Sequence, residues 1–432
     1  MIHRSIAAVL ASALAAVPLA AGAAGAHPAR TIVQTGDGPP LAAVELWFRA
    51  PSVGFGEPLV GIAQLAAESV AASVGHGEPL AALVQDSGGR LQIATFSDSV
   101  QVTAVVPAAS AARIARAAFE DYTRPALTQD GYKRARESVA VEAAESQADP
   151  DVQLRTQLFD ALFAQGPDRY TALPTVKQLG ALAYPEIVAF AKRAFRAENA
   201  VAVVTGVSES APVLSALGGA GTSEPVEAPA ASAASAAPPS VVSDSVAGPA
   251  FGMAFAGPPI ADQRAATAMD FLADYLLDAK LGAVAEALHG VAPGTSVSGQ
   301  FITLHDPGIL LVEVVGNASG AARETVERAL QRVQQPLDAQ TFEAARRRYV
   351  YRVLHDSQSA QAQADNLGWY AVEGSPSYAP FNGGEQGEYL ALARSLTPEY
   401  VANVARVYLK AAPAIATLTP QPAAQAQKGA AR

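Results

Sequence analysis

The chain has 432 residues, too long for one ordinary domain and suited to two of roughly 150–200 residues each. Half of its residues are apolar and 16% are charged, which excludes global disorder. A net charge of −10 argues against surfaces built for nucleic acid or anionic membrane, and the lack of Cys excludes disulfides, thiolate metal sites and Cys nucleophiles.

At the start, Met1–Arg4 is positively charged, Ser5–Ala20 is apolar and Ala-rich, and Ala24-Gly25-Ala26 offers small residues for cleavage. Residues 1–26 therefore read as an export signal removed before His27, with a bacterial periplasm as the destination. The apolar run is too short and weak for a span, which needs about 20 strongly apolar residues. No later stretch reads as a span, so none is expected once the signal is cleaved.

Val44–Arg49 has a strand pattern, and Val60–Val74 has helical length and spacing. Gln92–Val106 is a run of β-formers, and helices are expected at Ser110–Tyr122, Gly131–Ala148 and Pro185–Arg196. Residues 208–245 are low-complexity and rich in Pro, Ala and Ser, without an apolar period, and read as a linker. Beyond it, Arg264–Ala279 and Ala321–Val333 read as helices and Ile309–Val315 as a strand. The tail 421–432 reads as frayed. This divides the mature chain into an N-terminal domain, 30–207, and a C-terminal domain, 246–420.

The halves resemble each other. Asp130-Gly131-Tyr132-Lys133-Arg134-Ala135-Arg136 answers Gln340-Thr341-Phe342-Glu343-Ala344-Ala345-Arg346, and Tyr184-Pro185-Glu186-Ile187-Val188 answers Thr397-Pro398-Glu399-Tyr400-Val401, at offsets of 210 and 213 residues. Pro185 and Pro398 suit a first helical turn, and the Glu after each suits the positive helix end. Paired strands before groups of helices point to an α+β chain. The expected architecture is two tandem homologous α/β-sandwich domains, each with helices on a mainly antiparallel sheet.

Val44-Glu45-Leu46-Trp47-Phe48-Arg49-Ala50, a loop, and Gly61-Ile62-Ala63-Gln64-Leu65-Ala66-Ala67-Glu68 resemble the opening of insulinase/pitrilysin-family zinc metallopeptidases, of the two-repeat type similar to mitochondrial processing peptidase. Gly88-Gly89-Arg90-Leu91-Gln92-Ile93-Ala94-Thr95 resembles that family's Gly-Gly-then-strand segment. Phe251–Pro259 resembles its second-domain strand, and Leu396–Leu409 its closing helix.

The resemblance implies a His-x-x-Glu-His motif on the first helix, and here the sequence departs from it. The first His position is Gln64, the base position is Ala67 and the second His position is Glu68. The third-ligand position falls on Glu142, eight residues before Pro150. Zinc needs two imidazoles one turn apart, a Glu base between them and a third ligand. An amide binds zinc poorly, alanine cannot take a proton, and an oxygen-only set suits hard cations better. Gln64, Glu68 and Glu142 therefore read as polar residues lining a chamber, with a non-zinc cation as the rival reading. His76 and Glu78 lie in a Gly/Pro turn, and His289, His305 and His355 have no partner at ligand spacing.

The family's substrate-holding Arg and Tyr fall on His289 and Ser296, which puts substrate holding in doubt as well. Other chemistries lack their motifs: there is no Gly-x-Ser-x-Gly, phosphate loop or dinucleotide fingerprint. The resemblance thus implies an exported, non-catalytic subunit without a cofactor of its own. Such a subunit would form half of a peptide chamber with a zinc-bearing insulinase-family relative and offer extended peptides the strand edge at Ile93, Ala94 and Thr95. A stand-alone peptide-binding or scaffold protein is the second reading, and a metallopeptidase with an unrecognised metal site is the third.

Overall fold

The computed structural model describes residues 26–36, 40–74, 77–147, 149–245, 248–382 and 385–420. The expected export signal up to Gly25, His76 and the tail 421–432 lie outside the described residues.

Two five-stranded sheets carry the fold, and they share one topology. The first runs in the order Arg30–Thr35, Ala200–Val207, Leu41–Arg49, Ser99–Pro107, Arg90–Thr95. The second runs Ser240–Ser245, Ala414–Pro420, Ala250–Gly257, Gly308–Val315, Ser296–Ile302. In each, the first two strands are parallel and the remaining pairings are antiparallel. The helices repeat as well. Gln129–Ser146 answers Ala339–Asp356, and Pro150–Leu162 answers Ala360–Val372, each 210 residues on. The α+β reading and the tandem arrangement are both found.

Several elements follow from their sequence. Leu41–Arg49 is almost wholly buried because both of its faces are covered, and accordingly it reads as a near-continuous apolar run. Pro185 and Pro398 sit in the first turn of Tyr184–Ala194 and Pro398–Tyr408, and Glu186 accepts the Ala183 N–H at 2.8 Å. The run read as a single β segment, 92–106, is instead a hairpin: Arg90–Thr95 and Ser99–Pro107 pair around a turn at 96–98. The stretch 208–245 carries the helix Ala211–Ala216, and its last residues, Ser240–Ser245, form the outer strand of the second sheet.

The halves also exchange helices. Pro150–Leu162 packs on the second sheet, against Ala250–Gly257 and Ala414–Pro420, and Ala360–Val372 packs on the first, against Leu41–Arg49 and Ala200–Val207. Glycines allow the close approach. A Cβ on Gly368 would lie 2.0 Å from Trp47 Nε1, and one on Gly252 would lie 2.8 Å from Leu158 Cδ1. Trp47, Phe96 and Trp369 form an aromatic group across this seam, with ring centroids 4.9–6.2 Å apart. The core follows the exchange: Trp47, Val201 and Val203 of the first half belong to the second half's main cluster.

Candidate functional site

The site residues lie on two antiparallel helices, Ile62–Ala72 and Gln129–Ser146, locked together at one end. Gly61 precedes the first with φ 87°, a backbone that disfavours side chains, and its Cα faces Pro174 so closely that a Cβ would lie 2.5 Å from Cγ. Gly131 opens the second helix against Ser73, where a Cβ would lie 2.2 Å from Oγ. Ser73 Oγ accepts the Thr128 N–H at 3.0 Å, and Thr128 caps the helix through the Gly131 N–H, also at 3.0 Å. From this lock, Gln64 lies nine residues back and Glu142 eleven residues on, about 14 and about 17 Å along their helices. The two therefore meet.

Gln64 is buried, with 3% of its surface exposed. Its Nε2 donates a long hydrogen bond to Glu142 Oε2 at 3.5 Å, and its Oε1 accepts from Thr95 Oγ1 at 2.6 Å. Thr95 ends the edge strand Arg90–Thr95, so the sheet edge and the two helices converge on one amide. Glu68, one turn beyond Gln64, is partly buried, and its carboxyl is pushed up to about 7 by burial and then by the charge of Glu142. Glu142 is raised too, by burial and then by Glu145. Ala67 is fully buried in the first core cluster, and its carbonyl accepts the Tyr122 hydroxyl at 2.9 Å.

Gln64, Glu68, Glu142 and Thr95 are thus brought together, with Ala67 facing the core beside them. Ile93 and Ala94 lie on the edge strand and line an open cavity of about 420 Å³ with Phe96 and Trp369. His289 and Ser296 are brought together elsewhere, on the wall of a cavity lined by second-half residues alone. His305 lies at the seam, its Nδ1 3.3 Å from the Glu373 carbonyl, and His355 contacts Asp356 on an exposed helix end.

The donor set does not suit zinc. It comprises a neutral amide already holding Thr95, two carboxyls raised by burial, that of Glu68 to about 7, and a methyl where a base would stand. Among the described residues, no group of three or more His, Asp or Glu side chains is arranged to hold a metal ion.

Comparison with known proteins rests on structure alone. No protein-family model and no curated protein sequence matches this chain. A protease from Helicobacter pylori superposes with a TM-score of 0.79 at 15% identity, over 90% of this chain and 96% of that one. An M16-like protein from Alicyclobacillus acidocaldarius gives 0.74 at 16%, over 90% and 96%. A peptidase M16 inactive domain from Pseudomonas fluorescens gives 0.72 at 16%, over 91% and 95%. The fold is that of the M16, insulinase-like peptidases. Within the M16 fold this chain carries features that motif reading missed. Arg155 on one exchanged helix forks onto the fully buried Glu313 at 3.1 and 3.0 Å. At the offset of 210 residues that relates Gln129–Ser146 to Ala339–Asp356, Glu142 answers Arg352, which is ion-paired to Asp274 and Asp278. The repeat offset was the signal that would have found Arg352.

Proposed function

We propose that this chain is an exported, non-catalytic M16-type subunit that supplies half of a peptide-binding chamber to a zinc-bearing relative. The observation that carries the reading is the Gln64–Glu68–Glu142 group. It occupies the junction of the sheet edge and the two packed helices without a donor set for zinc. The edge strand Arg90–Thr95 ends the sheet, and its Gln92, Ile93 and Ala94 help line a cavity between the sheet face and the exchanged helix, with Phe96 and Trp369. An extended peptide added there would gain main-chain pairing and an aromatic wall. The inactive M16 domain among the similar structures shows that this fold exists without activity elsewhere. No described helix is long and apolar enough to cross a membrane.

The test is affinity purification of the tagged chain from the envelope of its own cells. A stoichiometric relative bearing His-x-x-Glu-His, with peptide cleavage that needs both chains, is the expected result. Recovery of the chain by itself, holding peptide without such a relative, would replace this reading with the stand-alone binding protein.

A further inference from the structure

The seam between the repeats contains carboxyl groups facing carboxyl groups. Glu45 is fully buried on Leu41–Arg49, and the charged group opposite it is Asp365 of the exchanged helix Ala360–Val372, to which it is hydrogen-bonded. Trp47 Nε1 donates to Glu45 Oε2 at 2.8 Å, Thr103 Oγ1 to its Oε1 at 3.3 Å, and Gln101 Nε2 to Asp365 Oδ1. At the other end of the same helix, Glu373 is 1% exposed and contacts Asp98, which is 6% exposed. Both Glu373 carboxylate oxygens and Asp98 Oδ1 are buried without a donor.

The charged and titratable neighbours do not neutralise this second pair. Asp168, on the turn Pro167–Arg169, adds a third buried carboxyl. Arg49 is the nearby cation, but its Nε donates to the Val372 carbonyl at 2.6 Å. Its terminal nitrogens go to the Ala371 and Glu227 carbonyls and to Glu224. His305 meets the Glu373 carbonyl, not its carboxyl. Two ionised carboxylates in contact in a dry seam repel, whereas one shared proton turns the contact into a hydrogen bond.

We propose that protons held between Glu45 and Asp365 and between Asp98 and Glu373 latch the exchanged helix Ala360–Val372 onto the first sheet, so that alkaline pH releases it and opens the seam between the repeats. Asp365 lines the open cavity beside the edge strand, which gives solvent protons access to the first pair. Burial raises Glu45 and Glu373 well above the usual carboxyl range and raises Asp98 as well; Asp168 is pushed up to about 6. A carboxyl raised in the folded state adds stability that is complete below its ordinary value and is lost as pH rises through the raised one. Release therefore belongs on the alkaline side, above the usual carboxyl range.

The experiment is hydrogen exchange on the full chain at about pH 5 and about pH 9, corrected for intrinsic rates. The wild type should lose protection in Ala360–Val372 at least tenfold on the alkaline side, a change of about 1.4 kcal/mol. Helix Pro398–Tyr408 should keep its protection. Glu45→Gln with Glu373→Gln places amides where the protonated acids stand and should hold the protection at both values. Unchanged protection in the wild type, equal loss in Pro398–Tyr408, or full alkaline loss in the double variant would overturn the latch. If the double variant does not fold, Asp98→Asn read in the same way and the wild-type titration decide.

Discussion

Glu68→Gln gives a direct reading of the candidate site's electrostatics. The carboxyl of Glu68 is pushed from 4.5 to about 7, first by burial and then by Glu142. Linkage fixes the sign: the stability tied to this proton is fully present below about pH 4.5 and is lost as pH rises through about 7. A rise of that size corresponds to about 3 kcal/mol between the acid and alkaline limits. Glutamine keeps the shape and cannot ionise. Wild type and Glu68→Gln should therefore differ little at about pH 5, and the variant should be more stable by about 2–3 kcal/mol at about pH 9. Glu142→Gln should recover a smaller share, since burial outranks the neighbouring charge. The assay is urea unfolding across that range with the m-value monitored, so that a change in the unfolding transition itself is detected. A stability difference that stays constant from pH 5 to pH 9 would refute the buried-carboxyl account of the site.

Arg155→Ala should destabilise the fold by about 3 kcal/mol in urea unfolding, because it leaves the buried Glu313 without its partner; Glu313→Gln in the same chain should restore part of the loss. Gly131→Ala should cost about 2 kcal/mol and lower the thermal midpoint, since the new Cβ meets Ser73 at 2.2 Å from Oγ and 2.9 Å from Cα. Gln64→His, Ala67→Glu and Glu68→His together should create zinc affinity through Glu142, with little or no peptide cleavage, because His289 and Ser296 lie on a separate second-half cavity. Metal analysis and a peptide assay check both halves of that statement; Gln64→His with Glu68→His alone serves as control, since Ala67 has no exposed surface to accommodate a carboxylate.

The fold was legible where local pattern and burial agree. Helices such as Ala111–Thr123 and Gly320–Arg332 have one apolar face and one solvated face, and their ends fall within a residue or two of the spacing-based reading. The helix exchange was not legible, because Pro150–Leu162 and Ala360–Val372 show the periodicity of any half-buried helix; which sheet they cover is decided by chain direction and by small residues such as Gly252 and Gly368. The hairpin at 96–98 was legible in Ser97 and Asp98, which suit a turn, and only Phe96, packed on Trp47 and Trp369 across the seam, carries the apolar pattern up to it. At the site, the meeting of Gln64, Glu68 and Glu142 could be read from a family resemblance, since it depends on helix register. The carboxyl contacts of Glu45 and Glu373 could not, since each pair joins residues from different repeats.

The two repeats treat the same position in opposite ways, and this bears on what the first one does. In the second repeat, Arg352 is ion-paired to Asp274 and Asp278, so buried and half-buried charge is balanced within the helix pair. In the first, Glu142 stands where Arg352 stands, and it raises Glu68 instead of neutralising it. A group kept only for stability would gain from the arginine arrangement, because an unbalanced buried carboxyl weakens the fold at neutral pH. Its position beside an unpaired sheet edge and an open cavity is the physical reason for placing the proposed peptide contact in the first repeat.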